Sequence, residues 1–363
     1  MNLPASQPSG AQAPVAYNPF VDPAGLGVRT IGCDTFSGEL LEVLRLTPDL
    51  GTPGDIEPLV RERCSRFEPE PPAGLAHVVR IERTFDGRLE AWSQMAEGFR
   101  LSAVLEWAET RDAGPSMSAA LTIGDRLLAA IMSLQAVEQV EGASGHGAIA
   151  VDQIVVSDAG ALTVTDYAFG TTLAALQWPR DRMWARFRIA LPPAAGLMRF
   201  DHRVDVTQAA VVIVSLLAGR VFKADEYPRR LDAMVAEAVR RSGAGVELED
   251  RNRLSSWLRA ATELEPRTVF RSAAAARQAL RETLGHFLDD TDGINRWLCT
   301  ARGMPEPAPS PRAVEVPPVE APQPAAPVSP APIVPQAAAP PSTDDAQARP
   351  AGAGRLKQWL SRS

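Results

Sequence analysis

The chain has 363 residues, 45% hydrophobic and 22% charged, with a net charge of -7 and a pI near 5.3. That apolar fraction is enough to bury a core, the length suits about two domains, and the acidic balance excludes the basic footprint of a nucleic-acid-binding protein. Cys33, Cys64 and Cys299 are odd in number and far apart, with no CxxC pair, which excludes a disulfide framework or zinc site and fits a reducing cytosol.

Residues 1–16 are rich in Pro, Ala, Ser and Gln and lack a basic n-region and an apolar h-region, so they do not read as a signal peptide. A disordered leader is expected over 1–27. Residues 38–47 (GELLEVLRLT) read as a strand. Residues 55–67 (DIEPLVRERCSRF) read as a helix starting at Asp55. Residues 78–85 and 89–95 read as a hairpin, because Asp86-Gly87 supplies the positive-φ turn. A helix follows over 101–110. A longer one covers 118–140, with Leu121, Leu127, Leu128, Ile131, Leu134 and Val137 at helical spacing. Residues 149–156 and 162–165 read as short strands around Ser157-Asp158-Ala159-Gly160, and from Val206 onward the pattern is almost wholly helical. A strand-rich half followed by a larger helical half is an α+β arrangement. The most apolar run, 209–218, is too short to span a bilayer. No transmembrane segment is expected, and the localisation is read as cytoplasmic.

Between 304 and 354 the composition shifts to Pro, Ala, Val and Ser, and fifteen of the 32 prolines fall there. Fixed φ angles and missing donors prevent a ladder from forming, so this stretch reads as a semi-extended disordered linker. In the terminal segment Leu356, Trp359 and Leu360 share one helical face, with Arg355, Lys357 and Arg362 around them. Such a face docks a groove or touches a membrane surface. The alternative is a frayed terminus, since so short a helix is marginal alone.

The segment 145–170 carries the main functional signal. His146, Gly147, Ala148, Ile149, Ala150, Val151, Asp152 and Gln153 precede a hydrophobic strand, a turn, a second strand and Asp166-Tyr167-Ala168. This order resembles the catalytic and metal-binding loops of the protein kinase-like superfamily, where His-x-Asp and a later Asn lead to Asp-Phe-Gly. Residues 205–212 and 216–220 resemble the buried central helix of the large lobe, and residues 93–105 resemble the hinge and the helix after it. Residues 263–267 and 271–273 resemble the end of the domain. The resemblance covers about residues 35–285 and implies a bilobal fold: a reduced small lobe over 28–97 and a mainly helical large lobe over 98–300. The linker 301–354 and the basic tail 355–363 follow.

The resemblance also shows what has been lost. Phosphoryl transfer needs positioned phosphates and Mg²⁺, and a carboxylate to orient the hydroxyl nucleophile. Ala148 stands at the base position, Ala150 at the lysine position and Gln153 at the metal-binding Asn. Asp166 keeps the metal-holding carboxylate, and Ala168 replaces the following Gly. No Gly-rich loop precedes the first strands. The phosphate-pairing lysine would fall near Leu44, residues 1–80 contain no lysine, and strand alternation turns Arg45 the other way. Glu62 is either the helix glutamate of the family without its partner or a surface residue beside Arg61 and Arg63. Ala194 and Val269 replace both members of a buried ion pair, a joint loss that can be neutral where a single loss costs roughly 3–5 kcal/mol.

His146, Tyr167 and Asp205 are expected in structural roles, with Asp205 alternatively the cap of a helix beginning at Val206. Ser93, Gln94 and Ala96 would line an adenine pocket, and Asp166 with Gln153 would hold any metal. No cofactor is expected beyond weak ATP with Mg²⁺. The resemblance thus implies a pseudokinase that binds a protein partner, such as a kinase or signalling complex. Trp178 and Trp184, among Arg180, Arg182, Arg186 and Arg188, are candidate docking residues, or else an amphipathic helix packs Trp184 and Phe187 on its own lobe. The alternative function is an atypical active kinase or nucleotide-dependent transferase that uses Asp166 and Gln153.

Overall fold

The computed structural model describes residues 25–34, 37–50, 53–68, 71–138, 145–193 and 200–305. All lie in the first of two compact units, Met1–Ser310. The readings of the leader before residue 25, of Ala194, and of the linker and tail beyond residue 305, with Leu356, Trp359 and Leu360, lie outside these residues.

The small lobe is a four-stranded antiparallel sheet in the order β1-β2-β4-β3 with one helix, α1 (Pro53–Ser65), packed against it. β2 (Leu40–Leu46), β3 (Val78–Arg83) and β4 (Leu89–Gln94) fall where the sequence places them. The β3–β4 turn closes through Gly87 at φ +81°. The first strand, β1 (Gly27–Cys33), was not legible: its one buried residue is Arg29, while Ile31 is exposed. A charged residue on the inward side reverses the alternation by which a half-buried strand is recognised.

β5 (Phe99–Arg100) opens the large lobe and runs into α2 (Leu101–Arg111). α3 (Met117–Glu138) crosses the lobe and packs on α6 (His202–Ala218). The Met117–Val137 stretch is long and apolar enough to cross a membrane by length and composition, a feature the shorter run at 209–218 does not reveal; 72% of its most apolar window is buried inside the fold. β6 (Ile154–Val156) is shorter than the expected strand over 149–156, because 151–153 form a 3-10 turn. β7 (Leu162–Val164) completes a small sheet in the order β5-β6-β7.

α4 (Gly170–Ala175) and α5 (Arg180–Phe187) follow the second hairpin. α7 (Leu231–Ser242), α8 (Leu248–Ala261) and α9 (Ala273–Leu284) build the far side of the large lobe. α10 (Thr291–Arg302) packs back on α2 and α3, where Trp297 Nε1 donates to the Ala113 carbonyl at 3.0 Å. The result is a strand-rich small lobe over a helical large lobe.

Candidate functional site: the interlobe cleft

The loop over 145–150 is held by side chains of α6. Asp205 accepts the backbone N–H groups of His146 at 2.9 Å and Gly147 at 2.8 Å, and the Gln135 amide at 3.1 Å. Asp205 is fully buried; burial pushes its carboxyl up, against the hydrogen bonds from Gly147, Gln135 and His146 that favour the charged form. Its role as a helix cap is corrected. The helix starts four residues before Val206, and Asp201 caps it by accepting from Arg203 N and Val204 N. Gln208, one turn after Asp205, accepts from Ile149 N at 2.9 Å and donates to the Gly147 carbonyl at 3.2 Å. Its anchoring role has no signal beyond the one-turn spacing.

His146 is buried, and Ala148 N–H donates to its Nδ1 at 3.3 Å. Burial, then the nearby Arg63 charge, pushes His146 down to about 3, so it is neutral at pH 7. Arg63, on α1, is itself buried; it donates to the Gly145 carbonyl at 3.0 Å and lies over the Phe67 ring. Phe67 meets the Tyr167 ring edge-on at 5.1 Å, so Tyr167 joins the end of α1 to the large-lobe core. Glu62 points outward to Arg66 at 2.5 Å, the surface reading of that residue. Gly170 allows the next segment to approach the loop, since a Cβ there would meet the His146 carbonyl at 2.0 Å.

The hairpin β6–β7 delivers Asp166. Thr165 N–H bonds the Gln153 carbonyl at 2.8 Å, and Asp166 then adopts the left-handed region at φ +68°. Ala148, Ala150 and Gln153 are all buried, and the Gln153 Oε1 makes no hydrogen bond.

The carboxylate of Asp166 does not face an open cleft. The guanidinium of Arg29, from β1, covers both of its oxygens. Arg29 also donates to Glu42 of β2 at 2.5 Å. Glu42 in turn binds Arg100, which reaches the Asp152 carbonyl and lies 3.4 Å from Thr165 Oγ1. Arg29 lies opposite Leu44 across the β1–β2 ladder, and Glu42 stands two residues along the same strand. The two charges therefore share one face of the sheet. Burial works against the Arg29 charge, and the carboxylates of Asp166 and Glu42 outweigh it, raising the guanidinium above its ordinary value.

Ser93 lies opposite Glu42 at the end of β4, which brings the hinge to the same row. At Gln94 the backbone N–H is spent on the His77 carbonyl at 2.8 Å. Ala96 is half-buried in the link to β5. A surface hollow of about 340 Å³ beside Gln94 is lined by residues 71–75 and His77, and none of the four charged residues borders it.

The docking reading of Trp184 is also corrected. Trp184 is 3% exposed, donates Nε1 to the Lys223 carbonyl at 2.9 Å and packs 5.0 Å from Tyr227. Trp178 stacks on Phe187 at 5.4 Å, with the Arg182 guanidinium 3.6 Å above it. Arg186 reaches the small lobe at Asp49, 2.5 Å away, and Thr47, 2.7 Å away.

No family model and no curated protein sequence matches the chain. Solved structures do. A cysteine-to-alanine mutant of the PknI kinase domain from Mycobacterium tuberculosis is 17% identical, with a TM-score of 0.50 over 72% of this chain and 91% of that one. The unmutated PknI kinase domain is 16% identical, with a TM-score of 0.49 over 71% of this chain and 91% of that one. With its small sheet lobe, its helical lobe and a loop pair between them, this chain has the bilobal protein kinase-like fold.

Proposed function

We propose that this chain is a pseudokinase: a kinase-fold protein that transfers no phosphate and serves as a protein-binding scaffold or regulatory module in bacterial signalling. Ala148 carries the reading. It stands where the fold would present a base, and a methyl group neither accepts a proton nor orients a hydroxyl. It is fully buried and its N–H is spent on His146, so the loop around it is built as a support. His146, Asp205 and Tyr167 keep that support intact without contributing chemistry. A protein partner is the ligand class this reading favours, and at most weak ATP binding accompanies it. The proline-rich linker is read as a tether.

The test is incubation of the full chain with labelled ATP, Mg²⁺ or Mn²⁺ and general protein substrates. No transfer is expected, to the chain itself or to substrate. Transfer abolished by Asp166→Ala would overturn the reading in favour of an atypical kinase that uses Asp166 and Gln153.

A further inference from the structure

The cleft side chains form a strap of alternating charge: Asp166, Arg29, Glu42, Arg100. Both ends are fixed in the large lobe, one at the end of β7 and the other on the Asp152 carbonyl. The two middle members come from β1 and β2 of the small lobe. The strap therefore leaves the large lobe, crosses the small one and returns, so separating the lobes breaks charged contacts at both ends.

Burying a guanidinium on the inward side of an edge strand is costly unless carboxylates compensate it. Here Arg29 is 6% exposed, and two carboxylates do so. Asp166 and Glu42 already share the Arg29 guanidinium, and no group of three or more His, Cys, Asp or Glu gathers among the described residues. A guanidinium suits such a pair, because its planar fork can serve two carboxylates at once. Unlike a metal, it is covalently held and cannot dissociate with a nucleotide.

We propose that Arg29 is a built-in cation: it takes the place of a metal on Asp166 and clamps the two lobes together without nucleotide. The inference rests on the non-catalytic reading of the same cleft and names how that cleft is regulated. Removing the guanidinium leaves Asp166 without its cation and Glu42 with Arg100 alone, an excess of negative charge that a divalent cation on Asp166 can offset.

The experiment compares wild type, Arg29→Ala and Arg29→Ala/Asp166→Ala in the full chain by thermal unfolding, with and without Mn²⁺. Wild type is expected to shift by less than about 1 °C with Mn²⁺. Arg29→Ala should unfold roughly 5–10 °C lower, from the loss of one partner of a buried pair. It should regain several degrees with Mn²⁺. The double variant should lose that response and recover part of the midpoint, since its buried carboxylate is no longer stranded. Should Arg29→Ala fail to fold, recovery of folding by the double variant carries the same conclusion. Two results would overturn the proposal: a wild type that Mn²⁺ stabilises as much as the variant, or a double variant no better than the single one. Phosphate transfer by wild type would instead remove the non-catalytic reading itself, and the assay of the preceding subsection measures that separately.

Discussion

Arg29 and Asp166 are 137 residues apart in the chain, and the guanidinium of the first covers both carboxylate oxygens of the second. The pair joins the edge strand of the small lobe to the loop that follows β7. It gives the lobes a contact set by buried charge, less exposed to salt than a surface pair.

The middle of the strap can be tested without touching that pair. Glu42→Gln keeps the shape of the side chain but removes the charge shared by Arg29 and Arg100. A loss of roughly 2–4 kcal/mol is expected in denaturant unfolding, since two buried guanidiniums then share too little negative charge. Raising NaCl to about 1 M should leave the wild-type midpoint nearly unchanged, because buried pairs are screened little. A wild type that loses most of this margin in salt would show the strap to be solvated.

Ala148→Asp puts a carboxylate at the position that the proposed reading takes as an absent base, and no phosphate transfer should result. The site is fully buried, and its N–H is committed to His146. Burying an added carboxylate there costs desolvation, and a destabilisation of about 2–4 kcal/mol is expected. Denaturant midpoints measure the loss, and a labelled-ATP assay on the folded variant should stay at background.

How far this was legible in the sequence depends on whether a residue's role is local. Asp86-Gly87 fixes a turn within four residues, so the hairpin was readable. The loop 145–170 was readable because strand, turn and strand follow one another without insertion. Asp205 reads from the sequence as a structural residue, with a helix cap as the alternative; the cap is Asp201, four residues earlier, and nothing in composition distinguishes the two. Arg29 and Arg100 left no trace. Each is an isolated arginine whose partners lie on other elements, and in β1 the arginine breaks the pattern that would have revealed the strand. Long-range charge pairing is set by tertiary packing, and periodicity does not encode it.

His146 gives a pH dependence with a definite sign. Its folded-state value is lowered from 6.5 to about 3, by burial first and then by Arg63. The neutral ring is favoured by folding, so the contribution is complete above pH 6.5 and is lost as pH falls toward about 3. By pH 5 the loss is about 2 kcal/mol, and Asp205, with its carboxyl raised, works in the opposite sense. His146→Asn keeps an acceptor near Ala148 N and should flatten the stability profile between about pH 6.5 and 4.5. Arg63→Met removes the second cause and should make the acid slope shallower. An unchanged slope in both variants would assign the acid loss to other groups.

Trp184 separates packing from docking. Its ring is buried against Tyr227, and Nε1 satisfies the Lys223 carbonyl. Trp184→Ala leaves a cavity of aromatic size together with an orphaned acceptor, so a loss of roughly 3–5 kcal/mol is expected. Trp178 is half-buried between Phe187 and Arg182, and its truncation should cost only about 1–2 kcal/mol. Urea unfolding of both variants tests the order, with a shifted midpoint and unchanged m-value marking a pure stability effect. If Trp184→Ala left the midpoint where it is, the indole would not be part of the core, and the docking role set aside above would return for that residue.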